Sequence, residues 1–221
     1  MIRCPKLCPM SCFDIHTHLV APCQEQAIAS FSVGAEPIGE KAVYVSVGIH
    51  PWYLTEPDAD RLLKILEQEL QDDRVVALGE AGLDRLRGCS LDVQMPVFRR
   101  EVALAEEYGL PMIIHCVKAF NELIQLKKEL RPRQPWIIHG FRGKARVALD
   151  LLRHGCYLSF GARFQEEAVR AVPLERLFIE TDESEESIEE ICRRIAQTRG
   201  VLPEELAEAV NKNVRAVFFK R

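Results

Sequence analysis

From Ala42 onward the chain alternates short β-branched runs with longer stretches of helical period, and no other feature restricts its fold as strongly. The run KAVYVSVGIHP stops at Pro51, and residues 58–70 then carry Leu62, Leu63, Ile65, Leu66 and Leu70 at helix-like spacing. The pattern repeats with RVVALGEAGLD before a helix at 91–108, LPMIIHC before 119–130, and QPWIIHGF before 144–153. CYLSFGA precedes a short helix at 165–171, and LFIETD precedes a helical region at 187–219 that breaks near Gly200 and Pro203. Upstream, FDIHTHL and AIASFSV raise the number of strand-like runs to eight. Eight strands alternating with helices predict an α/β protein of the TIM-like (β/α) barrel type, with an open doubly wound sheet as the main alternative.

The N-terminal third departs from a regular barrel. About eight residues join Leu19 to Ala27 and about eight join Val33 to Ala42, whereas a parallel crossover usually takes about a dozen or more. Both early helices are therefore expected to be missing. The barrel should be reduced or distorted there, with the second strand pairing antiparallel or lying at the barrel edge. At 221 residues with no Gly/Ser/Pro-rich or highly charged linker, the chain reads as one domain over 1–221, with residues 1–12 as an N-terminal arm.

Composition narrows the function classes. Apolar runs fall well short of the roughly 20 residues of a membrane-spanning helix. The opening MIRCPKLCPMSC lacks the apolar core of a secretory signal, so a cytoplasmic location is expected. A net charge of -4 provides no global basic field for duplex nucleic acid. Eight cysteines are too few for a disulfide scaffold, and Cys89, Cys116, Cys156 and Cys192 stand singly in core-like segments as reduced thiols. Cys4, Cys8 and Cys12 recur every fourth residue, but that spacing fits no cluster motif, so the arm is read as incidental.

The strand ends carry the chemistry. His16 and His18 end the first strand, His50 the third, Glu80 the fourth, His115 the fifth, His139 the sixth and Asp182 the last. In a parallel barrel these ends share one face, so the seven side chains should converge on one cavity. His154 is the one histidine outside this set, in a helix-to-strand turn. Burying imidazoles and carboxylates together without a cation carries a large desolvation cost, which a divalent metal offsets. Strand alternation in Asp14-Ile15-His16-Thr17-His18 puts both histidines on one side, where they can reach one ion.

With DIHTHL at 14–19, VGIHP at 47–51, GEAGLD at 79–84, Gln94 and Phe98, PMIIHC at 111–116, IIHGF at 137–141, ETD at 180–182, and Asn213 with Phe218, the chain resembles the TatD family of metal-dependent nucleases. The resemblance covers most of the chain. It implies that His16, His18, Glu80 and Asp182 hold one metal, and that Glu80 bridges to a second held by His115 and His139. A carbamylated lysine bridges the ions in other metal hydrolases of this broad group; here Glu80 stands in its place.

Two ions about 3.5 to 4 Å apart lower the pKa of a bridging water and clamp a phosphodiester oxygen. Asp182 is the expected general base, Glu80 the other catalytic carboxylate, and His50 the group that bonds the substrate phosphate or leaving group, or else orients a ligand. Mixed nitrogen and oxygen ligation suits Mg, Mn or Zn without choosing among them. Arg85, Arg87, Lys118, Arg142, Lys144 and Arg163 follow strand ends on the same face. Arg142 and Arg163 are the expected phosphate contacts. Trp52, Tyr53, Phe141 and Phe164 are placed either to stack bases or to pack the loops.

Departures from the family pattern bear on the substrate. Where the family has a proline and a long loop after the last aspartate, Glu183-Ser184-Glu185-Glu186 leads into helix. Acidic residues there, including Glu189 and Glu190, either repel a nucleic-acid backbone or complement the helix dipole. Val117 replaces an arginine common in the family. The leading expectation is a deoxyribonuclease with DNA as its substrate partner. The same metal centre acting on a small phosphoester, an amide or an aminoacyl ester is the alternative, and a non-catalytic metal-binding protein is the second.

Overall fold

A computed structural model describes residues 11–19, 24–35 and 37–220. Its strands are β1 (Asp14–Thr17), β2 (Ala27–Ser32), β3 (Tyr44–Gly48), β4 (Val75–Asp84), β5 (Met112–Val117), β6 (Trp136–Ile138), β7 (Tyr157–Phe160) and β8 (Leu177–Ile179). They form one sheet in sequential order, and every neighbouring pair is parallel. The ring closes through a single bridge between Thr17 and Asp182, where the Asp182 amide donates to His16 O at 2.9 Å and the His18 amide to Asp182 O at 3.1 Å. The fold is therefore the barrel and not the open doubly wound sheet.

Among the described residues seven α-helices wrap it: α1 (Ala59–Glu69), α2 (Leu91–Tyr108), α3 (Phe120–Leu130), α4 (Ala145–Arg153), α5 (Glu166–Ala171), α6 (Ile188–Arg199) and α7 (Pro203–Phe218). Among the described residues no α-helix joins β1 to β2 or β2 to β3, so the N-terminal third is reduced as expected. The pairing expected there needs correction. β2 is neither antiparallel nor at an edge; it runs parallel between its neighbours, in register from Ile28 opposite Tyr44 to Ser32 opposite Gly48. The reason is reach. Extended chain advances about 3.3 Å per residue against about 1.5 Å in a helix, so a short coil returns across a five-residue strand without one.

Apolar alternation fills the barrel and the layer beneath the helices, with Phe13, Ile15, Leu78, Phe98, Trp136, Phe160 and Phe178 fully buried. The closing seam is pinned from below by α7. Asn211 accepts from Phe13 N at 3.0 Å and donates to Ser11 O at 2.9 Å, fixing the entry to β1. Asn213 donates to Leu174 O and Leu177 O at 2.7 and 3.0 Å, fixing the entry to β8. Among the described residues no helix is long and apolar enough to cross a membrane. Cys4 and Cys8 lie outside the described residues.

Candidate metal centre

Glu80 is the hub of the C-terminal face. All ten residues of β4 are buried, and glycines on either side of Glu80 let β4 press against β5. A Cβ on Gly79 (φ +150°) would meet Ile113 O at 2.4 Å, and one on Gly82 (φ +148°) would meet His115 O at 2.0 Å. The Glu80 carboxylate is shared between two sets of imidazoles. Oε2 lies 3.3 Å from Nε2 of both His16 and His18. Oε1 lies 2.7 Å from His115 Nδ1, 2.7 Å from His139 Nε2 and 3.0 Å from His50 Nε2.

Asp182 completes the seven, with Oδ1 at 3.8 and 3.9 Å from His16 and His18. It sits just past β8 with φ +57°, a left-handed conformation that aspartate tolerates better than most side chains. Three overlapping groups have ligand atoms within 4.8 Å of one another: His16, His18 and Glu80; His16, His139 and Asp182; and His50, Glu80 and His115. All seven strand-end residues thus meet in one place.

Ring orientation separates them. His50 Nδ1 accepts from Trp52 N at 3.1 Å, so the neutral ring carries its proton on Nε2 and points it at Glu80. Burial pushes the His50 imidazole down, outweighing the pull of Glu80, and favours that neutral form. His50 is therefore engaged with Glu80. His115 presents Nε2 to Asp84 Oδ2 at 3.0 Å, which fixes its proton there and leaves Nδ1 toward Glu80. His139 presents Nδ1 to Glu180 Oε1 at 3.3 Å, leaving Nε2 toward Glu80.

Asp84, Glu180 and Asp14 escaped the sequence reading as site residues. Asp84 Oδ2 also accepts from Trp52 Nε1 at 2.6 Å, while Oδ1 takes Leu86 N and Arg87 N. Gln94 clamps the Asp84 backbone from α2 on both its N–H and its C=O. Glu180 also accepts from Gly140 N at 2.5 Å. Asp14 takes the His16 backbone N at 3.2 Å, and Thr181 N and Oγ1 at 3.1 and 2.6 Å across the seam; burial pushes its carboxyl up to about 7 against those bonds. Strand alternation from Glu80 to Asp84 was the one signal available for Asp84.

The charges are as tightly coupled as the geometry. Burial alone would raise the Glu80 carboxyl, but His139 and His115 hold it well below the usual carboxylate range. Burial would lower His139, but Glu80 and Glu180 hold it well above the ordinary imidazole value. His139 and Glu80 are thus coupled as imidazole and carboxylate at the place where metal ligands would share a cation. His16 carries the clearest sign of a missing partner: it is fully buried, Nδ1 has no hydrogen bond, and Nε2 has only its 3.3 Å approach to Glu80 Oε2. A buried ring nitrogen left without a hydrogen bond costs on the order of 1–3 kcal/mol, which a coordinated cation removes. The donor set fits a divalent ion.

The rim is less uniform. Arg142 Nη2 stands 3.9 Å from Asp182 Oδ2. Arg163 is exposed and makes no hydrogen bond or ion pair among the described residues. Arg85 is drawn to Glu122 and the Lys118 carbonyl. Arg87 lies 3.5 Å over the Trp52 ring, and Tyr53 is 53% exposed. Phe141 is buried against Phe120 and Phe160, so it packs the loop. Ser187 caps α6 by accepting from Glu190 N, and Glu186 and Glu190 pair with Arg194 and Arg193, so these acidic residues serve the helix start.

An eight-stranded parallel barrel with clustered histidines and carboxylates at its C-terminal mouth defines the class of metal-dependent barrel hydrolases. Within that class the chain belongs to the family described as TatD related DNase, which it matches over residues 17–219. It is 33% identical over 198 residues to the uncharacterized metal-dependent hydrolase YabD of Bacillus subtilis, covering 80% of this chain and 77% of that protein. It is 29% identical over 204 residues to the 3'-5' ssDNA/RNA exonuclease TatD of Enterobacter lignolyticus, covering 78% and 76%. The crystal structure of YJJV, a TatD homolog from Escherichia coli K12, shares the fold with a TM-score of 0.78 at 22% identity, over 95% of this chain and 98% of that one.

Proposed function

We propose that this member of the family is a cytoplasmic phosphodiesterase acting on DNA with two divalent ions, Mg, Mn or Zn. The observation that carries the proposal is the division of the Glu80 carboxylate, one oxygen toward His16 and His18 and the other toward His115 and His139. A carboxylate so divided suits a bridge between two ions. His16, His18, Glu80 and Asp182 would hold one, and Glu80, His115 and His139 the other. When bound, such ions supply Lewis acidity and a water acidic enough to attack at neutral pH.

The remaining steps belong to the chain. Asp182 is about a quarter exposed, at the mouth, and takes the proton of the attacking water on its carboxylate. His50 keeps Glu80 in place by donating from Nε2. Arg142, beside Asp182, receives a phosphate oxygen by paired hydrogen bonds, with Arg163 as a further contact from the neighbouring loop. Free thiols at Cys12, Cys89, Cys116, Cys156 and Cys192 suit a reducing compartment.

The test is metal quantification on protein purified without chelator, followed by cleavage of end-labelled single- and double-stranded DNA with Mg, Mn and Zn. Asp182→Asn and Glu80→Gln are expected to lower turnover by about 10²–10⁴. Bound metal with no DNA cleavage by the parent protein would refute DNA as the substrate. Failure to bind metal on reconstitution would refute the centre.

A further inference from the structure

At the opposite end of the barrel, where helices hand over to strands, a depression of about 260 Å³ is lined by Lys127, Lys128, Arg131, Pro132 and His154. No carboxylate stands in its wall. Lys127 and Arg131 are four residues apart on α3 and its cap, where like charges repel by a few tenths of a kcal/mol. Arg131 holds φ +49° at a C-cap position that glycine usually fills. Lys127 is half-buried and makes no ion pair; its Nζ rests 4.5 Å over the buried Trp136 ring. Burial lowers its ammonium pKa from the ordinary lysine value. Glu106, whose charge reaches Lys127, is bonded by Arg133 and Gln134 N, and Asp150 stands 3.9 Å from His154 at the edge of the basin.

Helix dipoles account for only part of this charge. The C-termini of α3 and α4 both end at the depression, and each contributes about half a negative charge. Together they balance about one of the three full cations. The excess sits on a chain whose net charge is -4, so it is a local arrangement and not a reflection of composition.

We propose that this basin binds a chain of adjacent phosphate groups, such as a free oligophosphate or the phosphate tail of a nucleoside triphosphate. Lys128 and Arg131 grip the outer phosphates, the Lys127 ammonium faces the inner one from its seat on Trp136, and the His154 ring closes the side. This site is independent of the metal centre and does not rest on the nuclease reading.

His154 is the one histidine away from the metal centre, so its ring Cε1–H resonance reports the basin alone. Chelator-treated protein is titrated with sodium tripolyphosphate and, separately, with ATP, while this signal is followed by NMR. Tripolyphosphate is expected to shift it saturably with one molecule per chain. The exposed pair Lys128→Glu/Arg131→Glu should weaken that binding by roughly tenfold or more, as for lost charge-assisted bonds, while metal-dependent cleavage stays unchanged. Comparable affinity for both probes points to the phosphate tail alone as the ligand, and tighter ATP binding to a nucleotide. A His154 signal unmoved by either probe, or moved equally in the folded double variant, overturns the proposal.

Discussion

Asp84→Asn isolates the proposed role of a supporting carboxylate. All four bonds to the Asp84 side chain come from donors: Leu86 N and Arg87 N on Oδ1, Trp52 Nε1 and His115 Nε2 on Oδ2. Asparagine has one acceptor oxygen. The turn after β4 fixes the two backbone donors, so the oxygen stays with them and the new NH₂ faces Trp52 and His115. His115 then loses the acceptor that holds its proton on Nε2. Its proton is free to move to Nδ1, the nitrogen that faces Glu80, and the lone pair is withdrawn from the donor set.

Loss of such a supporting partner typically weakens metal binding by about 10–100-fold, or about 1.4–2.8 kcal/mol. Because the His115 bond is buried and charge-assisted, the upper half of that range is expected here. The assay is calorimetric titration of chelator-stripped protein with Mn²⁺ or Zn²⁺, with the urea midpoint of the metal-free protein measured alongside. The ion held through His115 should weaken, and the one held through His16 and His18 should not. If both affinities match the parent in a folded variant, Asp84 does not set the His115 tautomer and the argument fails.

Other consequences lie outside the centre. Glu101 is a buried carboxyl on α2 that accepts from Ile49 N at 2.8 Å, and burial pushes its pKa up to about 8 against that bond. A raised carboxyl is protonated in the fold and ionised in the unfolded chain, so its contribution is full below about pH 4.5 and is lost as pH rises toward 8. Glu101→Gln keeps the bond and removes the titration; urea midpoints from pH 5 to 9 should show the variant gaining on the parent by a few kcal/mol, and a pH-independent difference would contradict this. Phe98, fully buried against Trp136 with centroids 5.4 Å apart, should cost about 3–5 kcal/mol on truncation to alanine, read from the same midpoints.

How much of this was legible in the sequence depends on whether a feature is one-dimensional. Helix α2 runs over Leu91–Tyr108 as its apolar period predicts, and the strand-end histidines meet because parallel strands put their C-terminal ends on one face. The parallel pairing of β2 was misjudged because connection length was compared with helical crossovers, and a coil reaches farther per residue. The part played by His50 depends on two partners, Trp52 N and Glu80, that together fix its tautomer, and no spacing rule carries that information. Asp84 is held by Trp52 from 32 residues away and by Gln94 from another element. Supporting carboxylates do their work through such long-range donors, so the pattern along the chain shows the ligands and hides what orients them.

The seam between β1 and β8 brings fold and site together. β1 carries His16 with His18 just past its end, Asp182 follows β8, and one bridge joins the two strand ends. Among the described residues no α-helix lies between β1 and β2, so the strand relies on α7, through Asn211, for its lower anchor. Asn211→Leu leaves the buried Phe13 N unpaired, at about 1–3 kcal/mol, and also releases the half-buried Ser11 O. The strain falls on β1 and not on β5 or β6. Amide exchange of Phe13 and Ile15 should therefore accelerate more than that of Ile114, and the ion held through His16 and His18 should weaken while the one held through His115 and His139 persists. Equal loss at both ions would mean that the barrel responds as one unit, and that the position of β1 is set by its ladder with β2 and not by the helix beneath it.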